Sequence, residues 1–168
     1  ELQITDSEAA CRGDAVPGAN EYDAADAGVH PVIAFAGASD VYERTAVPLI
    51  RDREWEPPKD ALQETELVAC LDREVETITE TCTNYSDPDR PGIPRTVQVY
   101  DVKYNMRLVE AATGTLVDEI EVDAKGGACP ESITLQGDAP VVPYYPIGLD
   151  QLEPWLAEHA DPMPWQRG

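Results

Sequence analysis

Basic residues are scarce in this chain. Its 168 residues include 12 Lys and Arg against 33 Asp and Glu, so the formal net charge at pH 7 is −21. Nucleic-acid binding needs a basic surface, and an anionic membrane would repel so acidic a protein. We therefore expect neither as a direct partner. Three interpretations of the acidity remain open: a soluble, self-repelling surface, adaptation to high salt, and the binding of cations such as calcium.

Long apolar runs are also lacking. None approaches the roughly 20 residues that a membrane-spanning helix requires, so we expect no direct insertion into a membrane. Apolar residues nevertheless make up 42% of the chain, which is enough for a folded core. Because the length is typical of one domain, we expect residues 1–168 to form a single domain.

Recognisable catalytic motifs are missing. The sequence has no nucleophile elbow, zinc-protease motif, P-loop or dinucleotide-binding motif. The two histidines, His30 and His159, open a predicted strand and end a predicted helix, and neither has a nucleophile context. The sequence therefore predicts a protein that is not an enzyme and has no cofactor, with calcium as the one candidate left open. The alternative is a secreted hydrolase with an unrecognised active site.

The four cysteines predict disulfides. Cys11, Cys70, Cys82 and Cys129 are widely spaced, without a CxxC pair or a zinc-type cluster. Two intramolecular bonds would imply an oxidising, extracytoplasmic location: the periplasm, the cell surface or the medium. The alternative is four buried thiols in a cytosolic protein. Of three connectivities we favour Cys70–Cys82 with Cys11–Cys129, because a hairpin turning near residues 72–76 would bring Cys70 opposite Cys82.

A β-hairpin is the clearest secondary-structure signal. Residues 96–108 and 116–122 alternate apolar and polar side chains. Ala112-Thr113-Gly114 between them fits a three-residue loop, with Ala111 facing Thr115 and Gly114 in the left-handed conformation. The register that follows pairs Met106 with Ile120 and Tyr104 with Val122 on the core side, and Arg107 with Glu119 and Lys103 with Asp123 on the solvent side.

The remaining signals complete the fold prediction. Further strands are predicted at residues 29–36, 67–71 and 75–82. Residues 149–160 have the apolar periodicity of a helix, with Pro154 in its first turn. Residues 84–94 read as a loop and residues 161–168 as a loose tail. The predicted class is α+β and mostly β: an antiparallel sheet with long ordered loops and a short C-terminal helix.

Two segments are candidates for partner binding. In residues 1–10, Leu2 and Ile4 alternate with polar residues, which predicts a strand or arm that pairs within the molecule or with a neighbour's sheet. Tyr144 and Tyr145 lie between two prolines. Their rings either dock a partner or cover the core as the chain crosses the domain.

The predicted loop at residues 84–94 is rich in oxygen-bearing side chains. Asn84, Asp87 and Asp89 are candidate calcium ligands, although their spacing matches no EF-hand. An ordinary Asn/Asp/Pro turn is the alternative. Asn84-Tyr85-Ser86 is also a sequon for N-linked glycosylation.

Several short motifs occur in a fixed order along most of the chain. They are Cys11 with a following Gly, Tyr22, Gly28-Val29-His30-Pro31, Leu67-Val68-Ala69-Cys70, Cys82 with Tyr85, Glu110-Ala111-Ala112-Thr113-Gly114, Cys129-Pro130 and Trp155-Leu156. In this order they resemble an uncharacterised family of bacterial extracytoplasmic domains, found in secreted or membrane-anchored proteins. The resemblance implies an extracytoplasmic location and structural cysteines. It implies no activity and no catalytic residue.

Composition, cysteines and resemblance lead to one functional expectation. We expect a non-catalytic extracytoplasmic binding or assembly module, for example a subunit of a surface structure or of a membrane-associated complex. Its partner would be another protein or a second copy of the chain.

Overall fold

A single mixed sheet dominates the protein. The computed structural model describes residues 3–38, 45–47, 55–58, 60–87, 90–133 and 137–161. These described residues contain six strands: β1 (Val32–Ala38), β2 (Thr45–Val47), β3 (Leu67–Asp87), β4 (Arg90–Glu110), β5 (Leu116–Ala124) and β6 (Val141–Tyr144). The same part of the chain contains one α-helix, α1 (Leu149–Ala160), and two 3-10 helices, Ile4–Arg12 and Leu62–Glu64. The prediction of a mostly β protein with a short C-terminal helix is confirmed. None of the described helices is long and apolar enough to span a membrane.

The strand order is β2-β1-β3-β4-β5, and β6 pairs with β4 beyond the end of β5. Three of the pairings are antiparallel, as predicted. Two are parallel, β1 with β3 and β4 with β6, so the sheet is mixed. Each parallel pair is joined by a long connection that contains another strand, which returns the chain to the same direction.

Strands β3 and β4 form one long hairpin of 21 residues each. The turn predicted near residues 72–76 is wrong, because β3 continues through this polar stretch as a strand with a bulge between Arg73 and Val75. Asp72 fits inside the sheet because Arg107 on β4 neutralises it at 2.7 Å. The predicted loop at residues 84–94 is also mostly strand. There, Pro91 and Pro94 precede the start of the β6 pairing at Thr96, so their missing N–H groups leave no gap in that ladder.

The disulfides link Cys11 to Cys70 and Cys82 to Cys129. Oxidation of all four cysteines is confirmed, but the predicted connectivity is wrong. Cys70 and Cys82 lie on the same strand, about 40 Å apart at 3.3 Å per residue, so they cannot bond to each other. Two disulfides suggest an oxidising environment outside the cytoplasm.

The predicted register of the β4–β5 hairpin is confirmed in all four pairs, including Met106 with Ile120. The turn differs in detail. A bulge at Val117 shifts the register, so Glu110 instead of Ala111 faces Thr115, and its N–H donates to the Thr115 carbonyl at 2.8 Å. Gly114 is left-handed as expected, with φ of 71°. The ion pairs also differ from those predicted: Arg107 binds Asp72, and Lys103 binds Glu121 diagonally.

The buried face of β4 changes along its length. Near Glu110 the even-numbered residues 102–108 are buried, and they form the main core with β1, β3, β5 and α1. Near Arg90 the odd-numbered residues 95–99 are buried instead. Successive strand residues point to opposite faces, so the two ends of β4 bury opposite sides of the sheet. The change falls at Tyr100 and Asp101, both of which are half-buried.

Helix α1 packs on the main core through Leu152, Trp155, Leu156 and Ala160. Its bounds match the prediction, but Pro154 lies in the second turn instead of the first. Asp118 on β5 anchors the helix by accepting hydrogen bonds from Trp155 Nε1 at 2.8 Å and His159 Nε2 at 2.9 Å. These donors lower the pKa of Asp118, with Trp155 as the larger cause.

Over the described residues 3–10, the strand that was one of the two predicted forms of this segment is not found. Residues Ile4–Arg12 form a 3-10 helix whose start is capped by reciprocal contacts between Gln3 and Asp6. The helix buries Ala10 and Cys11 in a second core on the opposite face of the sheet, so burial and the disulfide override the alternating pattern. Leu2 lies outside the described residues, as do residues 162–168 of the predicted tail.

Replacing Gly114 with alanine should destabilise the protein more than replacing Gly127. Both glycines are left-handed, with φ of 71° and 67°, so each substitution strains the backbone by roughly 1–2 kcal/mol. A Cβ at Gly114 would also lie 2.5 Å from the Gly13 carbonyl carbon, whereas one at Gly127 meets nothing within 4 Å. We expect a further ~1–3 kcal/mol for Gly114→Ala in urea unfolding. Equal effects would contradict this packing.

Asp118→Asn should weaken the docking of α1 only where Asp118 is ionised. The folded pKa is lowered, so its contribution is complete above the unfolded pKa of about 4 and is lost as pH falls through the folded pKa. We expect the variant to unfold more easily than wild type at pH 7 and the difference to shrink below about pH 4. Glu119→Gln is the control. A difference that persists in acid would argue against this anchor.

Candidate functional site

The distal end of the β3–β4 hairpin, away from α1, carries the two surface features that are candidates for function. One is a sheet face that is left open, and the other is a groove on the opposite face. The change of buried side along β4 produces both. On β4 it turns Val97 and Val99 inward and Thr96 and Gln98 outward.

The open face lies on β3, β4 and β6. Its residues share one side of the sheet by register, since Ile78 faces Tyr100, Thr81 faces Gln98, Thr96 faces Val141 and Gln98 faces Pro143. We define the open face as Ile78, Thr81, Thr96, Gln98, Val141 and Pro143. All six are exposed or half-exposed, and none carries a charge. Toward the main core the face is bordered by Glu76, which Arg73 pairs with at 2.8 Å.

The distal groove has a volume of about 890 Å³ and lies against the other side of the sheet. Residues 81–87 of β3 form one wall and residues 129–133 form the other. The Cys82–Cys129 bond joins the walls, and the Tyr85 hydroxyl donates to the Pro130 carbonyl. The groove is open, and its lining mixes hydroxyl, amide and carboxyl groups with the two apolar residues Pro130 and Ile133.

A buried arginine supports this end of the molecule. Arg95 is 2% exposed, and its guanidinium donates to Asp87 Oδ2 at 3.0 Å, to the Gly137 carbonyl at 3.0 Å and to the Ala139 carbonyl. It thereby ties residues 137–139, which lead into β6, to the β3–β4 hairpin. The sequence interpretation missed Arg95. Its place two residues before Val97, in phase with the buried valines, was the available signal.

The three calcium candidates are not brought together in the described residues. Asp87 is buried and paired with Arg95, and the Asn84 amide donates to Thr83 Oγ1 at 3.3 Å. Asp89 lies outside the described residues. Within the described ranges, no group of three or more His, Cys, Asp or Glu side chains could hold a metal ion. A calcium site involving these residues stays a prediction without geometric support.

Both histidines have structural partners. His30 is 2% exposed, and its ring nitrogens contact Glu66 Oε2 at 2.6 Å and the Asp26 carbonyl at 3.1 Å. His159 binds Asp118 and thereby helps to hold α1. These contacts connect surface segments and the helix to the sheet, and neither ring lines the distal groove.

The two tyrosines considered as docking residues lie on opposite faces of the sheet. Tyr144 packs on the distal cluster of Cys82, Val97 and Val99, whereas Tyr145 packs on the main core. The Tyr145 ring lies 5.0 Å from that of Tyr100, and the Arg73 guanidinium stacks 3.7 Å from its centroid. Both rings therefore cover apolar residues, which was the alternative to docking. Ile4 is 43% exposed on the N-terminal helix, and no observation ties it or Leu2 to a partner.

No protein-family model matches the chain, and searches of curated proteins and of solved structures return no significant match. The resemblance described above therefore stays a prediction.

Loss of Arg95 should be far more costly than loss of a neighbouring exposed arginine. Arg95→Met removes the guanidinium that neutralises buried Asp87, which should cost about 3–5 kcal/mol in urea unfolding. Arg90→Met removes an exposed pair with Asp138 at 2.6 Å and should cost less than about 1 kcal/mol. Similar costs for the two variants would show that Arg95 does not organise the distal end.

Proposed function

We propose that the protein is a non-catalytic extracytoplasmic assembly module whose open face binds a second copy of the chain. The observation that carries the proposal is the lack of charge on this exposed face. Interface centres are depleted of charged residues, and an exposed sheet face with Ile78, Val141 and Pro143 offers apolar area to bury.

Charge favours a homotypic contact at this face. Two copies each carry −21, so most pairings of their surfaces bring carboxylates together. Like charges at an interface cost several kcal/mol. The open face avoids that cost because its six residues are neutral. Two such faces related by a twofold axis would present the same residues to each other.

The disulfides support the proposed location. Two intramolecular bonds are typical of secreted, surface or periplasmic proteins, and so support a role at the cell surface or in a membrane-associated complex. The histidine contacts support a non-catalytic role, because both rings are used to hold the fold together.

Self-association of the open face can be tested with two matched substitutions. Ile78 and Leu116 are both 49% exposed, but Leu116 lies on β5, away from the open face. We expect the mass of the wild-type protein in light scattering to rise with concentration. Ile78→Asp should weaken association by more than about tenfold, because it places a carboxylate inside the contact between two acidic chains. Leu116→Asp should leave association unchanged.

Salt gives a second readout. Added salt screens the repulsion between the two acidic chains, so association should strengthen between 0.1 and 1 M NaCl, as the Debye length falls from about 10 to 3 Å. A wild-type protein that stays monomeric at all concentrations and salt levels would contradict self-assembly. Equal loss in both variants would place the contact elsewhere.

A further inference from the structure

A two-residue bulge displays Asn84 at the distal end of the hairpin. The register passes from Cys82 opposite Val97 to Tyr85 opposite Arg95, so Thr83 and Asn84 together oppose one residue of β4. Asn84 has φ of 69° and is the one non-glycine residue with positive φ among those described. Asn adopts this conformation more readily than most residues, which explains its place in the bulge.

The side chain of Asn84 is accessible in the folded protein. Asn84 and Ser86 are both exposed, and the amide makes a local 3.3 Å hydrogen bond to Thr83 Oγ1. Asn84 also lines the distal groove, which is open to solvent. On either side, the Cys82 disulfide and the Tyr85–Pro130 hydrogen bond hold the flanking residues in place. An enzyme could therefore reach the amide without unfolding the hairpin.

We propose that Asn84 is an acceptor site for N-linked glycosylation. Asn84-Tyr85-Ser86 is an Asn-x-Ser sequon in which x is not proline, and it is the one such sequence in the chain. The donor would be an oligosaccharide linked to a lipid pyrophosphate. The Asn84 Nδ2 attacks C1 of the first sugar, the N–C1 bond forms, the C1–O bond to pyrophosphate breaks, and one amide proton passes to solvent as the lipid pyrophosphate leaves.

The location of Asn84 is compatible with a bulky attached sugar. Residues 129–133, the far wall of the groove, cover the side of the sheet opposite the open face, since Cys129 bonds to Cys82 on the inward side. A glycan on the groove side leaves the open face free. The proposal uses only the extracytoplasmic part of the proposed function, and it stands or falls independently of self-association.

The test is expression of the full chain as a protein secreted from a eukaryotic host, followed by intact-mass and glycopeptide analysis. Wild type should carry a glycan on the peptide containing Asn84. Asn84→Gly should remove it, and glycine keeps the left-handed backbone, so folding should be retained. Ser86→Ala should also abolish the modification, whereas Ser86→Thr, which preserves the sequon, should retain it.

A second measurement removes any dependence on secretion. Purified, oxidised protein is incubated with an oligosaccharyltransferase and a lipid-linked oligosaccharide, and the mass shift is recorded for the same four proteins. Transfer to wild type and Ser86→Thr alone supports the proposal. An unmodified Asn84 peptide in folded wild type, in both measurements, overturns it, as does a glycan that survives Asn84→Gly.

Discussion

The pairing of β3 with β4 is the interaction on which the rest of the structure depends. Each strand has 21 residues, well above the usual five or six, and β1, β5 and β6 each pair directly with one of the two. At one end β1, β5 and α1 enclose the main core, and at the other β6 and residues 129–133 pack against the same hairpin. An isolated hairpin is marginally stable in water, so these separate attachments are what hold so long a pair together.

The two disulfides follow this division. Cys11–Cys70 ties the N-terminal helix to the end that holds the main core, and Cys82–Cys129 ties the later loop to the distal end. Each bond closes a different loop of the unfolded chain, of 59 and 47 residues, and such loops correspond to roughly 4 kcal/mol each in the chain-entropy account. Either end thus has its own covalent constraint as well as its own apolar cluster.

Local patterns predicted what depends on neighbouring residues. The β4–β5 register and the span of α1 could be read from alternation, a glycine turn and helical periodicity, because those signals act over a few positions. The length of β3 could not be predicted, since Asp72 is tolerated inside a strand only because it pairs with Arg107, which lies 35 residues away in the sequence. The distal site was missed for the same reason: the partners of Arg95 lie on two other segments, at Asp87 and at residues 137–139.

The bulges of β3 have a consequence for colloidal behaviour. A long, regular strand is a template on which other chains can stack into fibres. Beyond Arg73, where the pairing with β1 ends, the register with β4 breaks between Arg73 and Val75, between Ile78 and Glu80, and between Cys82 and Tyr85, so no regular stretch in this part of β3 is longer than the four residues Val75–Ile78. A straight strand from another molecule could not match such a ladder for long. The same irregularity that lifts Asn84 into solvent therefore discourages amyloid-like stacking of a hairpin rich in β-forming threonines.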